Sequence, residues 1–323
     1  MTPQHLKYVL TLAEEKNFSK AAQKLFITQP SLSQFIKNLE SQLNVQLFDR
    51  STAPIRLTYA GEIYVDAAHK IQAVQTELDN QLTDLHNLNL GELRIGTTPF
   101  RASCLLPKSI GAFRQKHPRV NIHIVEDKES ALESMLSEGN LDMCILAGPL
   151  DANLFHSEPL AEELLYLAVP PNSPFHNGKE DCRITVEDIL MNSRRLFRAN
   201  PIDLSLCAQE SFIFLQQDRN FQQLEHALSQ LPEFKPDIVM HTERIETSFA
   251  WTLSGIACCC IPDTFIRFGN HQRHPIYYKL NSALAQRDIV VAFKKNRYLS
   301  RAASNYVLIL KQLIGQGTWK PPG

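Results

Sequence analysis

The chain has 323 residues, 44% of them apolar, with 33 Lys and Arg against 34 Asp and Glu for a net charge of −1. That length supplies two or three domains with real cores, and the apolar content is normal for a soluble globular protein. The near-neutral balance excludes a protein coated in basic charge, but the sign is uneven: residues 1–58 hold seven Lys and Arg and four Asp and Glu, a net of +3 that leaves −4 for the remainder. A basic module on an acidic body fits nucleic-acid binding by one end only.

The first residues include Lys7, Glu14, Glu15 and Lys16 and do not read as a signal peptide. The apolar runs 164–169 and 256–261 fall far short of the ~18 residues of a membrane span, so no membrane partner is expected. Seven cysteines show no disulfide or zinc spacing, which points to reduced thiols and a cytoplasmic protein.

In chain order, Leu6, Val9, Leu10, Leu12 and Ala13 predict a first short helix, with Asn17 ending it or capping the next. Ala21, Ala22 and Leu25 mark a second helix over about 19–26, and two small alanines let it cross a third helix closely, as in a helix-turn-helix. The third helix is the most telling stretch, TQPSLSQFIKNLESQL at 28–43. Thr28 can cap it, and Pro30 falls in the first turn, where a missing N–H costs nothing. Leu32, Phe35, Ile36, Leu39 and Leu43 recur at the spacing of one buried face. The other face carries Gln29, Ser31, Ser33, Gln34, Lys37 and Asn38. None is acidic and all can donate to a phosphate or a base edge. Asn44 suits the left-handed residue that ends a helix. Two short strands over 46–50 and 55–57 then predict a wing, with Arg50 and Arg56 along the duplex backbone.

Residues 58–88 lack proline, and Gly61 is their only glycine. Tyr64, Ile71, Leu78 and Leu85 recur every seven residues, and Ala67, Val74, Gln81 and Leu88 follow three later. This a/d seam predicts a long helix that pairs with a second copy through Tyr64, Ile71, Val74, Leu78 and Leu85. Asn87, Asn89 and Gly91 predict a hinge.

The body alternates strands with helices: strand 92–96, helix 107–116, strand 120–126, helix 130–138 and strand 141–146. A second series runs through strands 166–169, 194–198 and 237–241, a helix at 244–253 and a strand at 256–261 that ends at Pro262. A strand at 288–294 and a helix at 300–315 close the chain. Such alternation implies parallel strands with both faces covered.

NFSKAAQKLFITQPSLSQFIKNLESQLNVQLFDR at 17–50, followed by LTYAG at 57–61, resembles the DNA-binding module of the LysR-type transcriptional regulators. The likeness runs through Ala21, Ala22, Leu25, Gln29, Pro30, Leu32, Ser33, Ile36, Leu39, Glu40, Leu47, Phe48, Arg50, Leu57, Thr58 and Gly61. Asn44 stands where the family usually has Gly, and Gln34 where it often has Arg, a charge lost from the DNA face. In the body, LLPKSIGAFRQKHP, GNLDMCI and SGIACCCIP carry the resemblance.

The resemblance implies an amino-terminal winged helix-turn-helix, mainly α, then a long linker helix, then a two-lobed α/β effector domain like a periplasmic solute-binding protein. The expected bounds are 1–58, 59–90 and 91–323, with lobe I at about 91–163 and 269–323 and lobe II at about 164–268. It implies DNA binding through Thr28, Gln29, Pro30, Ser31, Ser33, Gln34, Lys37, Arg50 and Arg56. It also implies a linker-made homodimer or homotetramer on an interrupted palindrome, with RNA polymerase as a further candidate partner.

In such folds ligands sit at the carboxyl ends of strands. That selects the turn Thr97, Thr98, Pro99, Phe100 and Arg101, with Glu126, Asp127, Ala147 and Gly148 from the same lobe and Arg198, Asn200 and Thr247 from the other. Arg101 and Arg198 suit an anionic metabolite, whereas Glu126 and Asp127 suit an amino group. Cys258, Cys259 and Cys260 alternate faces if they lie on a strand and cannot converge on one metal, so no metal site is expected. No nucleophile triad, P-loop or HExxH pattern is present, so neither catalysis nor a cofactor is expected. The rival readings are an enzyme or solute-binding protein with an incidental helix-turn-helix, or a regulator of this family with no effector.

Overall fold

Each of the first three helices carries its own start and stop signals. In the computed structural model, which describes residues 2–52, 54–85, 91–207, 210–216, 219–230 and 237–314, α1 is Pro3–Glu15, α2 is Phe18–Lys24 and α3 is Gln29–Leu43. Asn17 caps α2, its Oδ1 accepting from Ser19 N at 2.9 Å and Lys20 N at 3.1 Å. Thr28 caps α3, its Oγ1 accepting from Ser31 N at 3.3 Å, and Asn44 ends that helix at φ 55°. The wing is a two-residue ladder, β1 Phe48–Asp49 against β2 Arg56–Leu57. Leu12, Ala21, Ala22, Leu32, Ile36, Leu39, Leu47 and Phe48 form the core of this module. Leu43, expected on the buried face, is 41% exposed and lies outside the module's core.

The long helix α4, Tyr59–Leu85, starts on the LTYAG motif for a steric reason. Thr58 Oγ1 accepts from Gly61 N at 3.0 Å and caps the helix. A Cβ at Gly61 would stand 2.0 Å from the Leu47 carbonyl oxygen, so only glycine lets α4 lie against the wing.

The chain falls into two compact units, one holding α1–α4 and the wing, the other the remainder of the fold. The second unit opens with β3 Gly91–Thr97, α5 Pro99–Cys104, α6 Leu106–Lys116, β4 Val120–Glu126, α7 Glu129–Glu138 and β5 Met143–Ala147. β6, Phe155–Val169, is the long strand of the unit, and helices α8 Val186–Leu190 and α9 Arg194–Arg198 follow it. Then come β7 Ser211–Leu215, α10 Arg219–Ser229, β8 Asp237–Thr242, α11 Ile245–Leu253, β9 Cys258–Pro262 and α12 Asp263–Phe268. The chain closes with β10 Ile276–Lys279, β11 Gln286–Lys294 and α13 Arg301–Ile314.

Strand order is β4-β3-β5-β11-β6-β9-β7-β8, with β10 on β6. β3 lies parallel to β4 and β5, and β7 parallel to β8 and β9. β6 joins two lobes: residues up to Leu164 pair with β11, and from Leu165 onward with β9 and β10. Each lobe has its own core, one around Leu93, Ile95, Phe113 and Tyr306, the other around Tyr166, Phe212, Ile261 and Tyr277.

Three expectations for the second lobe fail. Residues 194–198 form helix α9 rather than a strand, because Ser193 Oγ accepts from Leu196 N at 3.1 Å and starts a helical turn. β7, a continuous apolar run whose last four residues are buried, was not anticipated. The return to the first lobe comes after β10 rather than at residue 269, since Ile276–Lys279 pair with Tyr166–Val169 inside lobe II. The expected hinge at Asn87 and Asn89, and Leu88 of the seam, lie outside the described residues.

Candidate DNA-binding surface and effector cleft

α3 divides its faces as its amphipathic pattern requires. Leu32 and Ile36 are fully buried, and Phe35 packs edge-on against Tyr8 with ring centroids 4.6 Å apart. Thr28, Gln29, Pro30, Ser31, Gln34 and Lys37 are exposed and Ser33 is half-buried. Gln34 Nε2 donates to Asn38 Oδ1 at 2.8 Å, and the Thr28 and Ser31 hydroxyls meet at 2.7 Å. The surface is therefore acid-free, donor-rich and open within its own domain.

The wing departs from the expectation. Arg50 Nη2 donates to Glu40 Oε2 at 2.8 Å, and its guanidinium lies 5.1 Å from the Phe18 ring centroid. Glu40 is itself buried, and its Oε1 accepts from Leu47 N at 2.9 Å and Phe48 N at 3.1 Å. Arg50 thus ties the wing to α3 through one guanidinium nitrogen while remaining exposed. Arg56 remains exposed on β2. The Leu39-Glu40 pair of the family likeness is the sequence signal for this link, and the fold shows what its glutamate holds.

On α4, Ile71, Val74 and Leu78 are 38%, 68% and 54% exposed, an apolar stripe that the single chain does not cover. Tyr64 is 9% exposed and belongs to the winged-helix core, so it does not extend the seam as expected. The side chain of Leu85 lies outside the described residues.

In the second unit the Thr97–Arg101 turn is largely spent on structure. Thr97 and Thr98 are buried, and Thr97 Oγ1 donates to the Ile145 carbonyl at 2.8 Å. Thr98 Oγ1 accepts from Arg101 Nη1 at 3.2 Å, and Phe100 is buried in the core of the second lobe. Arg101 is fully buried, 3.2 Å from Glu163 Oε2 and 3.7 Å from Glu129 Oε1. Glu163, on the crossover segment of β6, also accepts from Arg287 Nε at 2.6 Å and from the Thr264 hydroxyl. Arg101 is therefore committed to a hub at the junction of the lobes, not to a ligand.

Beside the hub, burial pushes the Asp263 carboxyl up to about 7, with the Glu163 charge adding to it and Arg267 opposing. Arg267 Nε reaches Asp263 Oδ2 at 3.1 Å.

The remaining candidates scatter. Glu126 is exposed, and Asp127 Oδ1 accepts from Lys128 N at 2.7 Å. Ala147 is buried, and Gly148 lines a different cavity of about 830 Å³ with His156, Gln286, Arg287 and Lys295. Arg198 and Asn200 are exposed at the end of α9, away from the lining of the interlobe cleft, and Thr247 is half-buried on α11.

What lies between the carboxyl ends of both sets of parallel strands is a cleft of about 600 Å³ lined by Lys128, Glu129, Ser130, Gln216, Gln222, Glu225, His241 and Glu243. Thr98, Pro99 and Phe100 face Leu215, Arg244, Ile245 and Glu246 across a narrower gap between the same lobes. His241 Nε2 stands 2.8 Å from Glu225 Oε1. The strand-end rule, applied to the first lobe, reaches Glu243 equally well once applied to the end of β8. Among the described residues no cluster of three or more His, Cys, Asp or Glu could hold a metal ion. Cys258, Cys259 and Cys260 are all buried in β9, and burial pushes the Cys259 thiol up to about 12, far from a reactive thiolate.

The winged helix-turn-helix, long helix and two-lobed body agree with two family models. One, bacterial regulatory helix-turn-helix protein of the lysR family, matches residues 3–62; the other, LysR substrate binding domain, matches residues 86–314. The chain belongs to the LysR family. It is a LysR-type transcriptional regulator with a helix-turn-helix DNA-binding domain and a substrate-binding domain, not an enzyme.

Among relatives in this family, the uncharacterized HTH-type transcriptional regulator YcgK of Bacillus subtilis (strain 168) is 28% identical over 311 residues, 96% of this chain and 94% of that protein. A probable RuBisCO transcriptional regulator of Cyanidioschyzon merolae is 37% identical over 177 residues, 54% of this chain and 58% of that protein. The LysR-family regulator CbnR shares the fold, with a TM-score of 0.65 at 18% identity over 97% of this chain and 99% of that one. Its full-length complex with target DNA superposes with a TM-score of 0.63 at 20% identity, over 97% and 99% of the two chains. No helix among the described residues is long and apolar enough to cross a membrane.

Proposed function

We propose that this LysR-type regulator works in the cytoplasm as a paired reader of an interrupted palindrome, adjusted by a small molecule held between its lobes. The observation that carries the reading is the exposed, acid-free face of α3 together with the uncovered Ile71, Val74 and Leu78 stripe on α4. A helix with these donors suits a major groove. An exposed apolar heptad stripe suits pairing with a second helix, and two copies present two recognition helices to two half-sites. RNA polymerase is the further partner that such a regulator would meet at a promoter.

In this reading Gln29 reads a base edge, its amide matching adenine, while Ser31, Ser33, Gln34, Lys37 and Arg56 hold phosphates or flanking bases. Gln29→Ala is expected to lose about 1–3 kcal/mol of specific affinity and keep nonspecific binding. Titration of operator and scrambled duplexes checks this, and an unchanged operator preference removes Gln29 from the readout. Leu78→Glu places a charge in the seam and is expected to shift dimer toward monomer at low micromolar protein, read by sedimentation velocity. An intact dimer there would mean that the stripe is covered by something other than a second α4.

For the effector, the cleft between the lobes supports a ligand site better than the Thr97–Arg101 turn alone. Its lining carries Glu129, Glu225, Glu243 and Glu246 against Lys128 and Arg244. Glu129 is already set against Arg101 and Glu225 against His241, which leaves Glu243 and Glu246 against Lys128 and Arg244, two charges of each sign. That balance suits a polar ligand carrying both donors and acceptors rather than the simple anion anticipated from Arg101, which is buried against Glu163, and Arg198, which is not in the lining. A ligand acts by binding one arrangement of lobes or protomers better than another.

A further inference from the structure

Among the described residues of the DNA-binding module, Phe26 is a large apolar side chain that the module's own core does not use. It lies in the turn from α2 to α3 and is 94% exposed, the highest value among the large apolar side chains described. Its backbone is left-handed, at φ 57°. The turn dictates that conformation: Ile27 N donates to the Ala22 carbonyl at 3.0 Å and Phe26 N to the Gln23 carbonyl at 3.1 Å. These two bonds close a helix through a left-handed residue, a position that suits glycine or asparagine. At the other non-glycine residues with positive φ among those described, the chain places Lys16, Asn44, Asn192 and Asn296. Only Phe26 is apolar and bulky, so it combines backbone strain with a ring left in water.

Its place suggests why. Thr28 caps α3 and Gln29 opens it, so Phe26 is three residues from the helical turn whose side chains meet base edges in this motif. Three residues of extended chain span at most about 11 Å, and the ring itself reaches further. The ring is thus carried at the rim of the surface that meets the duplex.

We propose that Phe26 is a DNA contact, its ring packing on the apolar parts of the groove wall, a thymine methyl or a deoxyribose, beside the bases read from α3. The inference rests on α3 being the recognition helix. The exposure of the ring in the free domain is then relieved in use, because binding DNA supplies the apolar partner that the fold withholds, while the backbone keeps the left-handed conformation that the turn sets.

The test uses the full-length protein and an operator selected from random duplexes by the wild type. Phe26→Asn is expected to melt at the same or a higher temperature, since asparagine tolerates the left-handed turn. It is expected to bind the operator roughly fivefold or more weakly, with the slope of affinity against salt unchanged because the ring carries no charge. Phe26→Tyr should restore binding. Uracil in place of thymine separates the two contacts: it weakens the wild type alone if the ring sits on a methyl, and weakens neither protein through Phe26 if the ring sits on a sugar. Wild-type affinity in Phe26→Asn overturns the proposal, as does a loss that accompanies a lower melting temperature and that tyrosine fails to rescue. Gln29→Ala run in parallel separates the failures: if it weakens binding and Phe26→Asn does not, only the Phe26 contact is wrong, whereas silence from both removes α3 as the reader.

Discussion

Glu163→Gln is expected to cost the protein about 3–5 kcal/mol of stability, because it strips the counter-charge from buried cations. Glu163 is fully buried, with Arg101 at 3.2 Å and Arg287 Nε at 2.6 Å on the same carboxylate oxygen. An amide cannot neutralise them, and its NH₂ group turns a donor toward either a guanidinium or the Thr264 hydroxyl. Replacing all the partners with well-packed apolar residues could be nearly neutral; removing one leaves unpaired charge in a low dielectric. Urea unfolding of the purified full-length protein measures the loss. Glu162→Gln, one residue away on the exposed face of β6, is expected to stay within about 0.5 kcal/mol of wild type. A midpoint unchanged by Glu163→Gln would mean that water reaches the hub. The position matters for function as well as stability. Arg101 comes from α5, Arg287 from β11, Thr264 from α12 and Glu163 from the crossover of β6, so any change in lobe opening must strain or spare this cluster.

Glu40→Ala is the second large effect, and it acts in the DNA-binding module. It deletes the acceptor of two backbone N–H groups, Leu47 and Phe48, and the partner of Arg50. Two buried orphan donors and a freed cation are expected to destabilise the module by about 2–4 kcal/mol. Because the same carboxylate aligns β1 with the end of α3, operator affinity should fall with the stability. Glu40→Gln keeps one acceptor oxygen and should recover part of both. Thermal melting followed by circular dichroism, with operator titration on the same samples, reads the two losses together. A Glu40→Ala protein with native melting temperature would refute the structural role assigned to this residue.

The two residues with the largest expected effects are not the ones the amino-acid pattern advertises. Amphipathic spacing, Thr28 and Asn44 located α3 within a residue, since caps and a 3.6 period are local properties. The seven-residue repeat located α4 for the same reason. Local signals failed where partners are distant. Ser211–Leu215 is a buried apolar run that periodicity cannot distinguish from a helix, and its ladder partners lie near residues 237 and 258. Residues 194–198, Arg-Arg-Leu-Phe-Arg, carry no period that separates strand from helix, and a serine cap at 193 takes them into a helix. Arg101 reads as a ligand-binding cation until Glu163, 62 positions later, is folded against it.

By itself the sequence determined the recognition helix, its donor face, the wing motif and the heptad stripe, because each is written within one or two turns of helix or a single tight loop. Only the tertiary structure decided which charges are free. It committed Arg50 to Glu40 and Arg101 to Glu163, moved the candidate effector site onto the Glu225, His241 and Glu243 wall, and set Tyr64 in a core rather than a seam. The physical reason is that burial and pairing are properties of long-range contact. A side chain's chemistry is fixed by its type, but whether that chemistry faces a ligand or a buried partner depends on residues far away in the chain.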